Sequence, residues 1–193
     1  MRVDEFDFDF DETLIALHPA RPRDSARLLV VPAGEGAFTD RSVRDLPALL
    51  RAGDVMVVND TKVMAAALCG TRTRDGVSAN VDFNLLEALD GSRWRALARP
   101  ARRLRPGDED TVGAGGGACG AGTLSARIEE RGEGGLITLQ FELSSPELDR
   151  WIDMVGAPPL PPYIGSKRAV ERADRDDYQT MFADEPGAVA APT

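Results

Sequence analysis

The stretch Arg93-Trp-Arg-Ala-Leu-Ala-Arg99 alternates polar and apolar residues with a period of two. Trp94, Ala96 and Ala98 would share one face of an extended chain, and the arginines would share the other face with Leu97. Successive side chains of a strand point to opposite sides, so this pattern predicts a strand with one buried face.

Further stretches of β-like composition surround this strand, with turn signals between them. The stretches are Asn80–Leu86, Thr123–Ile128 and Leu136–Leu143, and the turns are Asp90-Gly91, Pro106-Gly107-Asp108 and Gly132 to Gly135. Short strands at this spacing favour a small barrel or sandwich between about Cys69 and Leu143. The glycine-rich run from Gly113 to Gly122 lacks the strand before it and the helix after it that a phosphate-binding loop needs, and we expect a flexible loop there.

The chain on either side of this β-rich middle mixes helix and strand patterns, which predicts a mixed α/β fold around it. Strands are expected where Phe6, Phe8 and Phe10 alternate with aspartates, at Arg27–Val31 and at Val55–Val58. Helices are expected at Glu12–Leu17, Leu46–Leu50, Pro146–Val155 and Arg172–Ala183, and a stiff extended run at Pro158–Ile164.

Four polar residues, Asn59-Asp60-Thr61-Lys62, follow the apolar run Val55–Val58 directly. If that run is a central strand, these residues lie at its carboxyl end, where open α/β sheets bind ligands. A simple turn is the alternative, because Asn-Asp is also a common turn sequence. We expect a binding role here.

Composition narrows the possible chemistry. The chain has 193 residues, of which 42% are hydrophobic and 28% charged, as in ordinary globular proteins. It contains no apolar run long enough for a membrane span and no secretory signal, and its two cysteines lack metal-site spacing, so we expect a cytoplasmic protein without a zinc site. His18 is the only histidine, which leaves little room for a Ser-His-Asp arrangement.

The net charge of −9 argues against RNA binding by the whole surface, but the positive charge is concentrated. Six arginines fall close together, at positions 93, 95, 99, 102, 103 and 105. Arginine forks bind phosphate oxygens well, so an RNA-binding face is one interpretation. The other is a solvated strand face with local ion pairs to Asp108, Glu109 and Asp110, and both interpretations stay open.

Seven segments, in this order, resemble one known family. They are Leu14-Ile-Ala with Pro19; Ser25-Ala-Arg-Leu-Leu-Val30; Gly53-Asp54 with Val57-Val-Asn-Asp-Thr-Lys-Val63; Arg99-Pro-Ala-Arg-Arg-Leu-Arg-Pro-Gly-Asp108; Leu160-Pro-Pro-Tyr-Ile164; Asp177-Tyr-Gln-Thr180; and Gly187-Ala-Val-Ala-Ala-Pro-Thr193. Together they resemble the N-terminal half of the S-adenosylmethionine:tRNA ribosyltransferase-isomerases of queuosine synthesis.

The resemblance implies a mixed α/β domain interrupted by a small all-β barrel, with segments 1–67, 68–155 and 156–193. It implies transfer of the ribosyl unit of S-adenosylmethionine to the 7-aminomethyl-7-deazaguanine wobble base of tRNA, giving epoxyqueuosine. It implies tRNA and S-adenosylmethionine as ligands, no metal or further cofactor, and a monomer. The family continues beyond Ala-Pro-Thr, so we expect the chain to stop inside a catalytic loop and to be inactive alone.

The resemblance also suggests roles for individual residues. Asp60 is the expected base or the residue that orients one. Asn59, Thr61, Lys62 and Gln179 are expected to contact substrate or cosubstrate, and the small residues Gly187, Ala191, Pro192 and Thr193 to approach the cosubstrate closely. Tyr163 and Tyr178 are candidates for stacking on a base, with a packed core tyrosine as the alternative for each. Arg99, Arg102 and Arg103 are expected to meet tRNA phosphates.

Ala65, Ala67 and Asn80 depart from the family pattern, and the changes at Ala67 and at the Asn80 stretch each remove a cation. These departures support an alternative, a diverged or truncated RNA-binding protein without activity. A ligand-binding barrel in an unrelated protein is a third hypothesis.

Overall fold

The computed structural model describes residues 2–113 and 122–190. The chain divides into two compact units, Met1–Val57 and Val58–Thr193. Most of the predicted flexible loop, residues 114–121, lies outside the described residues. The predicted segment boundaries at 67/68 and 155/156 are not tested by this division and stay predictions.

The first unit is built from short elements with little burial. A two-stranded antiparallel sheet joins β1 (Arg27–Val30) to β2 (Thr39–Ser42), and a one-turn helix, α1 (Leu46–Leu49), follows. Single 3-10 turns lie at Val3–Phe6, Glu12–Leu14, Arg23–Ser25 and Val43–Asp45. The predictions of a strand at 27–31 and of helical turns at 12–17 and 46–50 are therefore confirmed in type, with shorter bounds.

The predicted strand through Phe6, Phe8 and Phe10 is wrong. Phe6 ends a 3-10 turn, the two following phenylalanines lie in irregular chain, and all three rings are exposed. The rings of Phe8 and Phe10 contact each other edge-on, with ring centroids 6.3 Å apart. An alternating pattern becomes a strand only when a neighbour takes its hydrogen bonds and a core covers its apolar face, and the described part of this chain supplies neither here.

The predicted central strand at Val55–Val58 is also wrong. These four residues form no regular structure, and Val55 and Val57 are about as exposed as in an open chain. The strand begins later, at β3 (Thr61–Val63). Of the four polar residues, Asn59 and Asp60 therefore precede a strand, and Thr61 and Lys62 belong to it, because the backbone partners of this region bond to residues 60–64.

The second unit contains a closed six-stranded barrel, which confirms the predicted barrel. Its strands are β4 (Ala67–Arg74), β5 (Val77–Ala88), β6 (Arg93–Arg99), β7 (Glu109–Val112), β8 (Leu124–Arg131) and β9 (Leu136–Phe141), joined in the order β4-β5-β6-β9-β8-β7. All neighbours are antiparallel, and β7 closes the barrel against β4. Single 3-10 turns at Ala101–Arg103 and Glu133–Gly135 lie between strands.

The alternating residues fill the barrel. Trp94, Ala96 and Ala98 of β6 point inward as predicted, beside fully buried side chains such as Phe83 and Leu139. Gly70 of β4 lies against the Phe83 ring, where a Cβ atom would overlap the ring edge. Burial of this apolar surface is the main source of stability in the unit.

Two buried charges also lie inside the barrel. Arg72 of β4 and Asp110 of β7 are paired positions of neighbouring strands, and Asp110 is only 1% exposed. Neither carboxylate oxygen of Asp110 accepts a hydrogen bond from the described residues. Burial raises the pKa of Asp110 to about 6, the nearby charge of Asp108 adds to the rise, and the charge of Arg72 opposes it. An unpartnered carboxyl of this kind favours its neutral form.

A helix follows the barrel, and after it come residues 156–190, which we call the return segment. The predicted helix is confirmed as α2 (Glu147–Val155), whose Leu148, Trp151, Ile152 and Val155 join the barrel core. Ala67 and Ala157 then form a reciprocal backbone pair, with N–O distances of 3.0 and 2.9 Å. The entry to the barrel and the exit from α2 therefore meet.

Two predictions for the return segment need correction. The run 158–164 is not extended throughout, since α3 (Pro162–Gly165) begins at the second of two prolines, a residue suited to the first turn of a helix. The predicted helix 172–183 is one turn long, α4 (Asp174–Asp177), because Gln179 and Thr180 bind the backbone near β3. The last strand is β10 (Glu185–Ala188). None of the described helices is long and apolar enough to cross a membrane.

Candidate functional site

The two sequence segments with the most predicted site residues meet in one small parallel ladder. Strand β3 pairs with β10, with Glu185 opposite Thr61 and Ala188 opposite Val63. The register shifts between Pro186 and Ala188, so that Gly187 is the extra residue of the ladder. Residues 59–63 and 178–188, far apart in the sequence, therefore form one structure.

Asp60 and Met64, on either side of β3, form backbone hydrogen bonds with residues in or next to β10. The N–H groups of Asp184 and Glu185 donate to the Asp60 carbonyl, at 2.8 and 3.2 Å, and the Met64 N–H donates to the Ala188 carbonyl at 2.8 Å. The backbone of Asp60 is thus fixed while its side chain stays exposed.

Asn59 shapes the start of the strand. Its side-chain oxygen accepts hydrogen bonds from both the N–H, at 2.9 Å, and the hydroxyl of Thr61. This local Asx turn engages the oxygen of Asn59 and the hydroxyl of Thr61. The side chains of Asp60 and Lys62 are exposed and make no hydrogen bond or ion pair with the described residues, so a carboxylate and an ammonium group remain available to a ligand.

No atom of the described residues outside its chain neighbours lies within 4 Å of the place where a Cβ of Gly187 would stand. Its close approach to a cosubstrate stays a prediction. The other members of the predicted loop, Ala191, Pro192 and Thr193, lie outside the described residues.

A groove of about 1010 Å³ runs along the outside of the barrel. One wall comes from β4, β5 and β6, and the other from the return segment, including Val189 and Ala190 directly after β10. The lining is mostly apolar, with polar groups from Asp82, Asn84, Arg99, Tyr163 and Ser166. Arg99, predicted to meet tRNA phosphates, and Tyr163, a candidate for stacking on a base, thus lie in the same groove.

The two candidate tyrosines differ. Tyr163, in α3, is 57% exposed at the groove and is not a core residue. Tyr178 is half-buried, and burial, assisted by the negative charge of Asp174, raises the pKa of its hydroxyl. An exposed aromatic ring beside an apolar groove suits base stacking, which favours Tyr163 over Tyr178 for that role.

The arginine cluster splits into paired and unpaired members. Arg93 pairs with Asp90 and Glu129, and Arg95 pairs with Glu87. By contrast, Arg99, Arg102, Arg103 and Arg105 are exposed and form no ion pair within the described ranges. The acidic residues that could have neutralised them are engaged elsewhere: Asp108 binds Arg74, Glu109 binds Arg127, and Asp110 is buried. Of these unpaired arginines, Arg99 also lines the groove.

Sequence reasoning missed several residues that position this site. Arg168 and Asp174 form a bidentate ion pair, with N–O distances of 2.8 and 2.6 Å, and Asp174 is 1% exposed. The Thr180 hydroxyl donates to the Asn59 carbonyl at 2.9 Å. Gln179, predicted to touch a ligand, binds the backbone of Val63. No spacing signal marks contacts across more than a hundred residues.

The departures from the family pattern lie in three different environments. Ala65 is buried, Ala67 lines the groove, and Asn80 lies exposed on β5. A cation at position 67 would therefore stand in the groove wall. Among the described residues, no group of three histidine, cysteine, aspartate or glutamate side chains is placed to hold a metal ion. The expectation of no metal and no further cofactor stays a prediction.

The fold and the groove define a mixed α/β protein with a closed barrel whose outer surface combines an apolar groove and unpaired arginines. A family model described as "Queuosine biosynthesis protein" matches residues 3–193. The chain belongs to this family, which confirms the resemblance seen in its sequence and excludes the hypothesis of an unrelated barrel protein.

Relatives carry a more specific name. The chain is 56% identical to an S-adenosylmethionine:tRNA ribosyltransferase-isomerase of Sinorhizobium medicae, 57% to one of Rhizobium meliloti and 55% to one of Rhodopseudomonas palustris. In each case the match covers 100% of this chain and 54% of the relative. The chain thus spans about half the length of the curated relatives it matches.

A crystal structure of S-adenosylmethionine tRNA ribosyltransferase from Thermotoga maritima is also similar, with 32% sequence identity. The match covers 84% of this chain and 53% of that one, with a TM-score of 0.37.

Proposed function

We propose that this chain supplies the base-binding and proton-transfer part of a tRNA-modifying transferase. The reaction moves the ribosyl unit of S-adenosylmethionine to the 7-aminomethyl-7-deazaguanine wobble base of tRNA and gives epoxyqueuosine. Family membership and the names of the relatives support this activity. A cytoplasmic monomer that binds precursor tRNA and S-adenosylmethionine is part of the same proposal.

One observation carries the proposal: strand β10 bonds to the backbone of Asp60, and the residues directly after β10 line the groove. At one end, β10 fixes the backbone of Asp60 and Thr61 through the ladder. Its continuation, Val189 and Ala190, lines the groove that also contains Arg99 and Tyr163. A carboxylate, a stacking ring and an unpaired arginine are thereby linked through one strand.

The chemistry suits the residues available. A sulfonium activates the adjacent carbon and leaves as a neutral thioether, so the protein must mainly orient two ligands and accept a proton. Asp60 is proposed as the base, with Asn59, Thr61 and Lys62 around it. Tyr163 is proposed to stack on the base, and Arg99, Arg102 and Arg103 to hold the phosphates.

The catalytic part is tested in the protein extended to the length of its relatives, by adenine release from S-adenosylmethionine in the presence of precursor tRNA. Asp60→Asn should lower turnover about 10²-fold or more, the usual contribution of a positioned general base. Asp149→Asn, an exposed carboxyl on α2, is the matched control and should leave turnover unchanged. Normal turnover by Asp60→Asn would remove that residue from the role of base.

The binding part is tested with an anticodon stem-loop that carries the precursor base. Tyr163→Ala should weaken binding by roughly 5- to 150-fold, the usual range for loss of one stacking partner. Arg99→Ala should also weaken binding and should lower the slope of log affinity against log salt by about one. Arg95→Ala lies on the same face of the same strand but is paired with Glu87, so it is the matched control. Equal losses for Arg95→Ala and Arg99→Ala would contradict the groove as the RNA site.

A further inference from the structure

Both backbone groups of Val63 bind a single side chain. The Val63 N–H donates to Oε1 of Gln179 at 2.8 Å, and Nε2 of Gln179 donates to the Val63 carbonyl at 3.0 Å. The two residues are 116 positions apart, and Val63 is 7% exposed. The amide of Gln179 thus occupies the place that a neighbouring strand would take.

This contact covers the edge of β3 that faces away from β10. In a parallel ladder, alternate residues direct their N–H and C=O groups to opposite sides. Asp60 and Met64 bond to β10, whereas the backbone groups of Asn59 and Val63 bond to the side chains of Thr180 and Gln179. A three-residue strand with one backbone partner is otherwise an open edge.

The residues that cover this edge are themselves held firmly. Gln179 and Thr180 follow α4, in which Asp174 is buried and bonded twice to Arg168. Asp174 also accepts a hydrogen bond from the Glu171 N–H at 2.7 Å, which fixes the start of the turn. Buried polar groups that lose their partner carry a full desolvation cost, so this arrangement favours one register of β3.

We propose that Gln179 is a positioning residue, which holds β3 in register through the Val63 backbone so that Asp60 and Lys62 meet the ligand correctly. This inference rests on the proposed function for its effect on turnover but not for the contact itself. It differs from the direct ligand contact predicted for Gln179, because the carbonyl oxygen and the amide nitrogen of that side chain each hold one backbone group of Val63. Misplacement of a reacting group by about 1 Å costs up to ~10²-fold in rate, which makes the register of β3 matter to turnover.

The decisive variant is Gln179→Glu. An ionised carboxylate still accepts from the Val63 N–H but cannot donate to the Val63 carbonyl, and the two oxygens repel each other. A protonated carboxyl can make both bonds again. Lowering the pH toward the ordinary glutamate pKa of about 4.3 should therefore restore the contact, which a variant without any hydrogen-bonding group, Gln179→Met, cannot do.

Two readouts separate the contact from the activity. Hydrogen exchange of the Val63 amide, compared with the unsubstituted chain at the same pH, should be about three- to tenfold faster in Gln179→Glu near neutral pH and should return toward the original rate in acid. In turnover, kcat should fall while KM for both substrates stays within about twofold, as expected when positioning and not binding is lost.

Gln140→Glu is the matched control, because Gln140 is the only other glutamine and its amide bonds to Ser92 and Phe141 inside the barrel unit. It should leave the exchange of Val63 and the value of kcat unchanged. Unaltered Val63 exchange in both Gln179 variants would overturn the inference, as would a raised KM with unchanged kcat, which identifies a ligand contact. If the unsubstituted protein, extended to the length of its relatives, shows no turnover, the proposed function fails, and the exchange measurement still decides the role of Gln179.

Discussion

The barrel unit and the N-terminal unit carry similar alternating sequences and reach different structures. In the barrel, Trp94, Ala96 and Ala98 lie inside a closed ring of strands, whereas Phe6, Phe8 and Phe10 of the other unit are exposed. None of the described residues 2–57 is buried, and the main cluster of buried hydrophobic residues among the described ones lies within residues 66–155. Alternation thus specifies which side chains can share a face, and the closure of the hydrogen-bonded ring decides whether that face is buried.

The largest expected difference between the two units is the change in the free energy of unfolding when a phenylalanine ring is removed. Phe83→Ala should lower the free energy of unfolding by about 3–5 kcal/mol, because it removes a side chain only 1% exposed and leaves a cavity. Phe8→Ala should change it by less than about 0.5 kcal/mol, since that ring is 73% exposed. Urea unfolding followed by tryptophan fluorescence measures the barrel unit, which contains both tryptophans, and far-ultraviolet circular dichroism follows the whole chain. A comparable loss for Phe8→Ala would mean that the phenylalanine strip is covered in solution.

The next effect concerns the buried charge inside the barrel. The pKa of Asp110 is raised to about 6 in the fold from 3.8 in an unfolded chain, so the folded state holds a proton that the unfolded state has released between these values. Its contribution should therefore make stability fall as pH rises from about 4 to about 6, and remain lost above that. Asp110→Asn should abolish this fall and raise stability at pH 8 by about 1–3 kcal/mol.

Asp108 provides the control of opposite sign for this experiment. Burial alone would raise its pKa, but hydrogen bonds from the Arg74 side chain and the Arg105 N–H lower it below the usual value. Its stabilising contribution is present above the unfolded pKa and is lost as pH falls through the folded one. Asp108→Asn should consequently destabilise the barrel at neutral pH. If Asp110→Asn and Asp108→Asn change the free energy of unfolding in the same direction, the conclusion that the charge of Asp110 destabilises the fold is contradicted.

The smallest effect should be common to both units. Arg127 and Glu109 form an exposed ion pair across the barrel strands at 2.8 Å, and Arg27 and Asp40 form one across β1 and β2 at 3.6 Å. Glu109→Gln and Asp40→Asn should each cost less than about 1 kcal/mol, and the cost should vanish in high salt. Unfolding midpoints at low and high salt measure this. A large, salt-resistant loss for Glu109→Gln alone would show that surface charge, and not the interior, distinguishes the units.

The barrel could be predicted from the sequence because four of its strands, β5, β6, β8 and β9, carry their own signal, whereas β4 and β7 were not predicted. The run Arg93–Arg99 alternates over its whole length, and turn residues mark its neighbours. The strand order could not be predicted, since the pairing of β6 with β9 and of β4 with β7 depends on contacts between distant segments. The strand pattern alone therefore allows a barrel or a sandwich, the family resemblance implies the barrel, and the closed ring of strands confirms it.

The sequence predicted which segments form the candidate site, but it did not predict the strand and the hydrogen bonds that hold them together. The segments around Asp60 and Gln179 were both singled out, yet β3 was expected at Val55–Val58, because that run is more apolar than Thr61–Val63. Three residues are too few to show a period, and side chains make three hydrogen bonds with the backbone of this strand. Local sequence carries no trace of a partner 116 residues away.

The reciprocal backbone pair between Ala67 and Ala157 makes the barrel a module that can be exchanged as one piece. The chain from β4 to the end of α2 begins and ends at this one pair of residues. Paired antiparallel residues can be joined by a two-residue turn, so the chain between them can be lengthened, shortened or replaced without moving β3 away from β10. Such a connection lets the barrel, which we propose binds RNA, vary over evolution while Asp60 keeps its backbone partners.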